Sequence, residues 1–225
     1  MSERDAQAGD NALGLPRLPP GRHGLSREFV IKNQRDRLTA GIISAVAASG
    51  YHEASVTDIC AAAGVSRRTF YSYFSSKEEC YLRAFDLIVD YLAETLTDAG
   101  AEEASWPAAL RDRLEAMLET FAANPDLARF TLIAPLRAGE EIAAHHRIAL
   151  ERLLQVLTLG MPKADSVQQP SPNVEQAVIG GMTALITGKV EKGDGDRLPE
   201  LLPDLVELFL TPYIGRKKAA RAAGP

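Results

Sequence analysis

Two cysteines in 225 residues, Cys60 and Cys80, are too few for a disulfide framework, and neither has metal-ligand spacing around it. Their apolar neighbours mark them as core residues. No apolar run approaches the ~18 residues that a bilayer span requires. The stretch from Met1 to Asp10 is polar and has no secretion core, so a cytoplasmic protein with no membrane partner is expected. Strict alternation of β-branched residues is absent, which argues against a sheet, and no repeat recurs at a fixed period. G-x-S-x-G, H-E-x-x-H, P-loop and G-x-G-x-x-G patterns are all missing, so neither an enzyme nor a cofactor is suggested. Aromatics make up only 6% of the chain, yet 46% is hydrophobic and 24% charged. That composition excludes a wholly disordered chain.

Charge is unevenly spread. Nine Lys/Arg face four Asp/Glu between Arg17 and Lys77, whereas fifteen face twenty-three from Glu78 to Pro225. A basic head on an acidic body restricts contact with a polyanion to the head.

Between clear punctuation marks the chain reads as helix. Residues 1–25, with Pro16, Pro19, Pro20, Gly21 and Gly24, form a flexible arm that carries Arg17, Arg22 and His23. A first helix opens at Ser26, continues through Arg27, and closes before Gly50, burying Leu38, Ile42, Ala45 and Val46. A second starts near Ser55 or Thr57, with Asp58 completing an S-x-x-D pattern, and ends at Gly64. A third, very short, runs from Ser66 to Tyr73. Ser76 and Glu79 form an S-x-x-E box for a fourth, whose Leu82, Phe85, Val89, Leu92 and Leu96 make one buried stripe.

The stretch Val56 to Lys77, VTDICAAAGVSRRTFYSYFSSK, carries the chemistry. Two short helices meet at Gly64-Val65-Ser66, where glycine permits a left-handed turn and Val65 plugs the angle. This is a helix-turn-helix layout, whose second helix enters a DNA major groove. Phe70 and Phe74 lie four apart and anchor that helix inward. Arg67, Arg68, Thr69, Tyr71, Ser72 and Tyr73 supply donors on the other faces. Arginine matches the O6/N7 edge of guanine, and hydroxyl and ammonium groups suit phosphates.

Residues from about Arg27 to Phe85 resemble the DNA-binding domain of the TetR (tetracycline repressor) family. The matching features are AVAASGYHEASV, then TDICAAAGVSRRTFYSYF, then SKEE. The resemblance implies an all-α protein: a three-helix DNA-binding domain over 26–76, a larger helical ligand-binding and dimerisation domain over 77–212, and a basic tail over 213–225. It implies that Thr57 caps the second helix and touches a phosphate. It places Ser66, Arg67, Arg68 and Thr69 where base edges are read, Tyr71, Ser72 and Tyr73 against backbone or bases, and Lys77 on a phosphate. Relatives often carry histidine in place of Tyr73 and a bulkier aromatic in place of Ser72, so those two contacts carry over less directly.

For the body, Ser105 is expected to cap a helix bearing Leu110, Leu114, Met117, Leu118 and Phe121. Asn124-Pro125 opens another, and a long helix runs from Gly139 to Gly160. Helices over about Asn173–Thr187 and Leu198–Leu210 are those through which the family dimerises, with Gly180-Gly181 admitting a partner helix closely. Either Pro199 or Pro203 begins the last one, and the basic tail is expected to fray. The resemblance implies a homodimeric repressor that binds a palindromic DNA operator and is released by a small-molecule effector. Candidate lining residues are Tyr91, Trp106, Met117, Phe121, Phe130, His145 and His146. Adjacent histidines point about 100° apart on a helix, so no metal site is expected there. The alternatives are a helical interaction module without DNA binding and, further off, a helical enzyme.

Overall fold

The computed structural model describes residues 27–103, 105–162 and 168–224, with side chains from 32 onward. The arm at 1–25, the Ser26 cap, the side chain of Arg27 and part of the 160–172 loop lie outside the described residues. Those described contain helices and no strand. The chain divides into two compact units, the first ending at Phe85 and the second starting at Asp86.

In the first unit, α1 (Arg27–Ser49) is followed by α2 (Val56–Ala63), α3 (Arg67–Tyr73) and the opening of α4 (Lys77–Ala99). Gly50 ends α1 at φ 86°, a region that a side chain disfavours. Leu38, Ile42 and Val46 of α1 are buried with Ile59, Ala63, Phe70, Phe74, Tyr81 and Phe85. The spacing-based α1 face is therefore the face that packs, and Cys60 and Cys80 lie in the same core as free thiols.

The second unit contains the rest of α4, α5 (Trp106–Ala123), α6 (Pro125–Ala128), α7 (Glu140–Leu157), α8 (Pro172–Lys192), α9 (Leu202–Ile214) and α10 (Arg216–Ala223). All five apolar residues expected on one side of α5 are buried. Ser105 stands at its start, but its hydroxyl makes no capping bond. The helix opened by Asn124-Pro125 does not continue regularly. After α6 the backbone widens into a π-turn over Arg129–Ile133 and tightens into a 3-10 turn over Ala134–Arg137. Pro135 explains the break, because it has no N–H to give the carbonyl of Thr131 and its ring crowds that carbonyl.

The helix α8 is longer than its sequence signals suggest, opening at Pro172 and running to Gly193 at φ 86°. Pro203 falls in the first turn of α9, whereas Pro199 sits in the 3-10 segment Gly195–Leu201 before it. The basic tail does not fray. It folds as α10, with Ala219 and Ala223 buried and the Arg111 guanidinium donating to the Ala223 carbonyl. Its cations face outward while its alanines pack, a pattern hidden when only the charges are counted. No helix among the described residues is long and apolar enough to cross a membrane.

Candidate nucleic-acid interface

The bend between α2 and α3 is fixed by its termini. Ser55 caps α2 by a reciprocal box: its hydroxyl accepts from the Asp58 amide at 3.2 Å, and the Asp58 carboxylate accepts from the Ser55 amide at 2.9 Å. Bonds from the Ser55 hydroxyl and amide hold the Asp58 carboxyl below its ordinary value, since they favour the charged form. The cap is thus Ser55 and not Thr57, which is the second residue of the helix and exposed. Gly64 adopts a left-handed conformation, φ 62° and ψ 40°, and Val65 returns its amide to the Cys60 carbonyl at 3.0 Å. Ser66 then caps α3, accepting from the Thr69 amide at 3.0 Å.

The helix α3 has seven residues and would not persist alone. Phe70 is 0% exposed and Phe74 is buried after it, their ring centroids 5.7 Å apart. With these two side chains inward, Arg67, Arg68 and Ser72 are exposed and Tyr71 is 51% exposed, its ring edge-on to Phe70. Neither arginine joins an ion pair among the described residues.

The other expected donors are partly committed. Ser66 and Thr69 share a hydroxyl–hydroxyl bond of 2.9 Å, and Ser72 donates to the Thr69 carbonyl at 2.6 Å. Tyr73 is half-buried and donates to Gln34 Oε1 at 2.8 Å. The arginine pair and Tyr71 are the groups the fold leaves extended toward solvent.

Lys77, expected on a phosphate, is engaged within its own chain in this structure. Its ammonium turns inward, donating to the carbonyls of Tyr51 at 2.7 Å, Ala54 at 2.9 Å and His52 at 3.4 Å. It also lies 4.4 Å from the centre of the Tyr51 ring. An ammonium has three donors, and all three face the loop after α1. Burial lowers its pKa, partly offset by the Glu53 carboxylate. At the start of α4, Ser76 accepts from the Glu79 amide at 3.0 Å, but the Glu79 carboxylate reaches back one residue further than expected, to the Ser75 amide and hydroxyl, both at 2.6 Å.

Three residues missed in the sequence complete the head. Gln34 holds Tyr73, the buried Arg37 donates to the Gly64 carbonyl at 2.7 Å, and Gly41 faces α2. A methyl at Gly41 would stand 2.7 Å from the Ile59 carbonyl oxygen and 2.9 Å from Ala63 Cβ. The available signal was a glycine inside a helix, which costs about 1 kcal/mol against alanine and so points to a packing demand.

Of the candidate effector residues, five are buried in the body and two are not. Trp106, Met117, Phe121 and Phe130 are core residues, and the Trp106 indole donates to the Leu157 carbonyl at 3.1 Å. His146 is buried, which holds it below the ordinary imidazole value. His145 is half-exposed and pairs with Asp86 at 2.5 Å. Tyr91 is 55% exposed on the outside of α4, so it does not line an interior. Two open clefts, of about 510 and 410 Å³, are lined by neither these residues nor their neighbours in that set. No group of three His, Cys, Asp or Glu that could hold a metal occurs among the described residues.

Residues 40–84 match the family described as "Bacterial regulatory proteins, tetR family". No curated protein matches the sequence. Among solved structures, the fatty acid degradation regulator FadR from Bacillus halodurans superposes with a TM-score of 0.70 at 22% identity, covering 78% of this chain and 97% of its own. The transcriptional regulator FadR from Bacillus subtilis, in complex with stearoyl-CoA, gives 0.69 at 21% identity, covering 79% and 98%. A TetR family transcription regulator from Marinobacter aquaeolei VT8 gives 0.60 at 20% identity, covering 79% and 97%. Residues 40–84 thus carry the sequence of the tetR family of bacterial regulatory proteins, and the chain shares the fold of these solved regulators.

Proposed function

We propose that this protein is a cytoplasmic transcriptional repressor, not an enzyme, and that it binds a palindromic duplex operator as a homodimer and is released by a small molecule. The observation that carries the DNA reading is the presentation of α3: Arg67, Arg68 and Tyr71 project from a short helix held by two buried phenylalanines. Arg67 and Arg68 are the base readers, with Ser66, Thr69, Ser72 and Thr57 beside them at the groove edge. Tyr71 serves a phosphate.

The homodimer reading is supported by α8. Val174 and Leu185 are 42% and 43% exposed there, with Ala177, Gly180 and Ala184 also open to solvent. A methyl at Gly180 would meet nothing in its own chain, and one at Gly181 only Leu208 at an ordinary 3.6 Å. Two mid-helix glycines that no internal contact requires favour close approach of a second α8. The effector reading draws on the FadR from Bacillus subtilis solved with stearoyl-CoA. For this chain the ligand is a small molecule entering the second unit.

Selection of duplexes from a random pool tests the function. The expected result is a two-fold symmetric site with half-sites about one turn, roughly 34–36 Å, apart. Arg67→Ala should then cost about 1–3 kcal/mol and relax preference at one base position. A pool from which nothing is enriched even at low salt would sink the reading and leave an interaction module in its place.

A further inference from the structure

We propose that Gln34 of α1 and Tyr73 of α3 form a positioning pair that sets the rotation of the recognition helix, and through it the choice of bases, without Gln34 itself touching DNA. The inference rests on the DNA-reading function above. Tyr73 is the last residue of α3, and its hydroxyl crosses to Gln34 Oε1 at 2.8 Å, 39 positions away in sequence. This is a tertiary tie at the end of the helix opposite its cap. The entry end is already held, by Ser66 and by the left-handed Gly64.

Gln34 does not act from an arbitrary point. Gln34, Arg37 and Gly41 are spaced three and four apart on α1 and therefore share a face. Each holds a different part of the bend. Gly41 lets the backbone of α2 come close, Arg37 grips the Gly64 carbonyl, and Gln34 takes the far end of α3. One face of one long helix thus locates the first helix, the turn and the second helix in succession.

The link is needed because the other anchors are apolar. Phe70 and Phe74 fix how deeply α3 sits, but apolar packing is non-directional, and a seven-residue helix has little rigidity of its own. A hydrogen bond is directional, so the Tyr73–Gln34 bond fixes rotation about the helix axis. Arg67 and Arg68 stand on that helix six and five residues before Tyr73, about one and a half turns away. Bidentate reading of a base edge tolerates errors of only about 0.5 Å and 10–20°. Because Tyr73 gives its single proton to Gln34, it is a strut and not a reader.

The experiment uses the full chain and the best duplex selected by the wild type, with a panel of its single-base variants. Gln34→Ala, Tyr73→Phe, the double variant and Gln34→Glu are each titrated at two salt concentrations, at a temperature where circular dichroism finds every variant folded. Each single variant should lose about three- to tenfold in affinity, the size of one hydrogen bond, and should discriminate less between bases. The double variant should be no worse than either single, and Gln34→Glu should restore binding because its carboxylate still accepts the tyrosine proton. The salt dependence should stay at the wild-type slope throughout. If Tyr73→Phe lowers the slope by about one while Gln34→Ala binds as wild type, the hydroxyl contacts a phosphate and the pair is not a positioning device. Additive losses in the double variant would overturn it equally. A wild type that selects no duplex would instead overturn the DNA reading beneath it, and this inference with it.

Discussion

Lys77 shows how a side chain's partners decide its role. A lysine at the start of a helix, next to a DNA-reading unit, invites a phosphate assignment. Here its ammonium sits among three carbonyls and over a tyrosine ring. Lys77→Met should therefore lower stability by about 1.5–3 kcal/mol, the range for hydrogen bonds involving a charged group, as read by urea titration. The same variant should leave the salt dependence of DNA binding unaltered. A slope reduced by about 0.9, the signature of one released counterion, would return the lysine to the phosphate. His146 makes a second case at this scale. Burial lowers its pKa in the folded chain below 6.5, so the unfolded chain binds the proton more readily. The stability linked to it is present above that value and lost as pH falls below it. The urea midpoint of the wild type should drop between neutral pH and about pH 5, and that of His146→Gln should drop less.

At the scale of elements, the three-helix head depends on how closely α1 approaches α2. Gly41 has no room for a methyl, since the nearest obstacle is backbone and cannot swing away. Gly41→Ala gains about 1 kcal/mol of helix propensity but forces α2 outward, at the 1–3 kcal/mol typical of overpacking or more. Net destabilisation is expected, together with weaker operator binding, because α2 carries α3 with it. A variant as stable as wild type would mean that the two helices separate without cost. The widened turn over Arg129–Ile133 belongs to this scale too. The sequence marks the helix start at Asn124-Pro125, but whether Pro135 bends, breaks or widens the helix depends on what packs around it, and here it is preceded by a π-turn.

For the whole molecule, the prediction concerns association. The exposed face of α8 holds Leu185, Val174, Ala177 and Gly180 in an otherwise acidic second unit. Leu185→Glu should shift sedimentation from dimer toward monomer, and operator affinity should fall with it, because a palindrome binds two heads together. A monomeric wild type would remove the basis of the half-site argument. For the effector, a hundredfold release from DNA requires about 2.7 kcal/mol of coupling between the two sites.

The sequence by itself determined the all-helical class, the bend at Gly64 and the short basic helix after it, because these follow from local rules: periodicity, a glycine where φ is positive, and two phenylalanines four apart. It also located most helix starts, though not which hydroxyl caps them; the choice of Ser55 over Thr57 and the silence of Ser105 depend on backbone geometry a residue or two away. Only the tertiary structure decided what Lys77, Tyr73 and Arg37 touch, since their partners lie 23 to 39 positions distant. The same holds for the body, where Trp106 and Phe130 proved to be core, Tyr91 surface and the basic tail a packed helix. Apolar character states that a residue prefers burial; which neighbours bury it is fixed by how the helices pack, and that packing is a property of the whole chain.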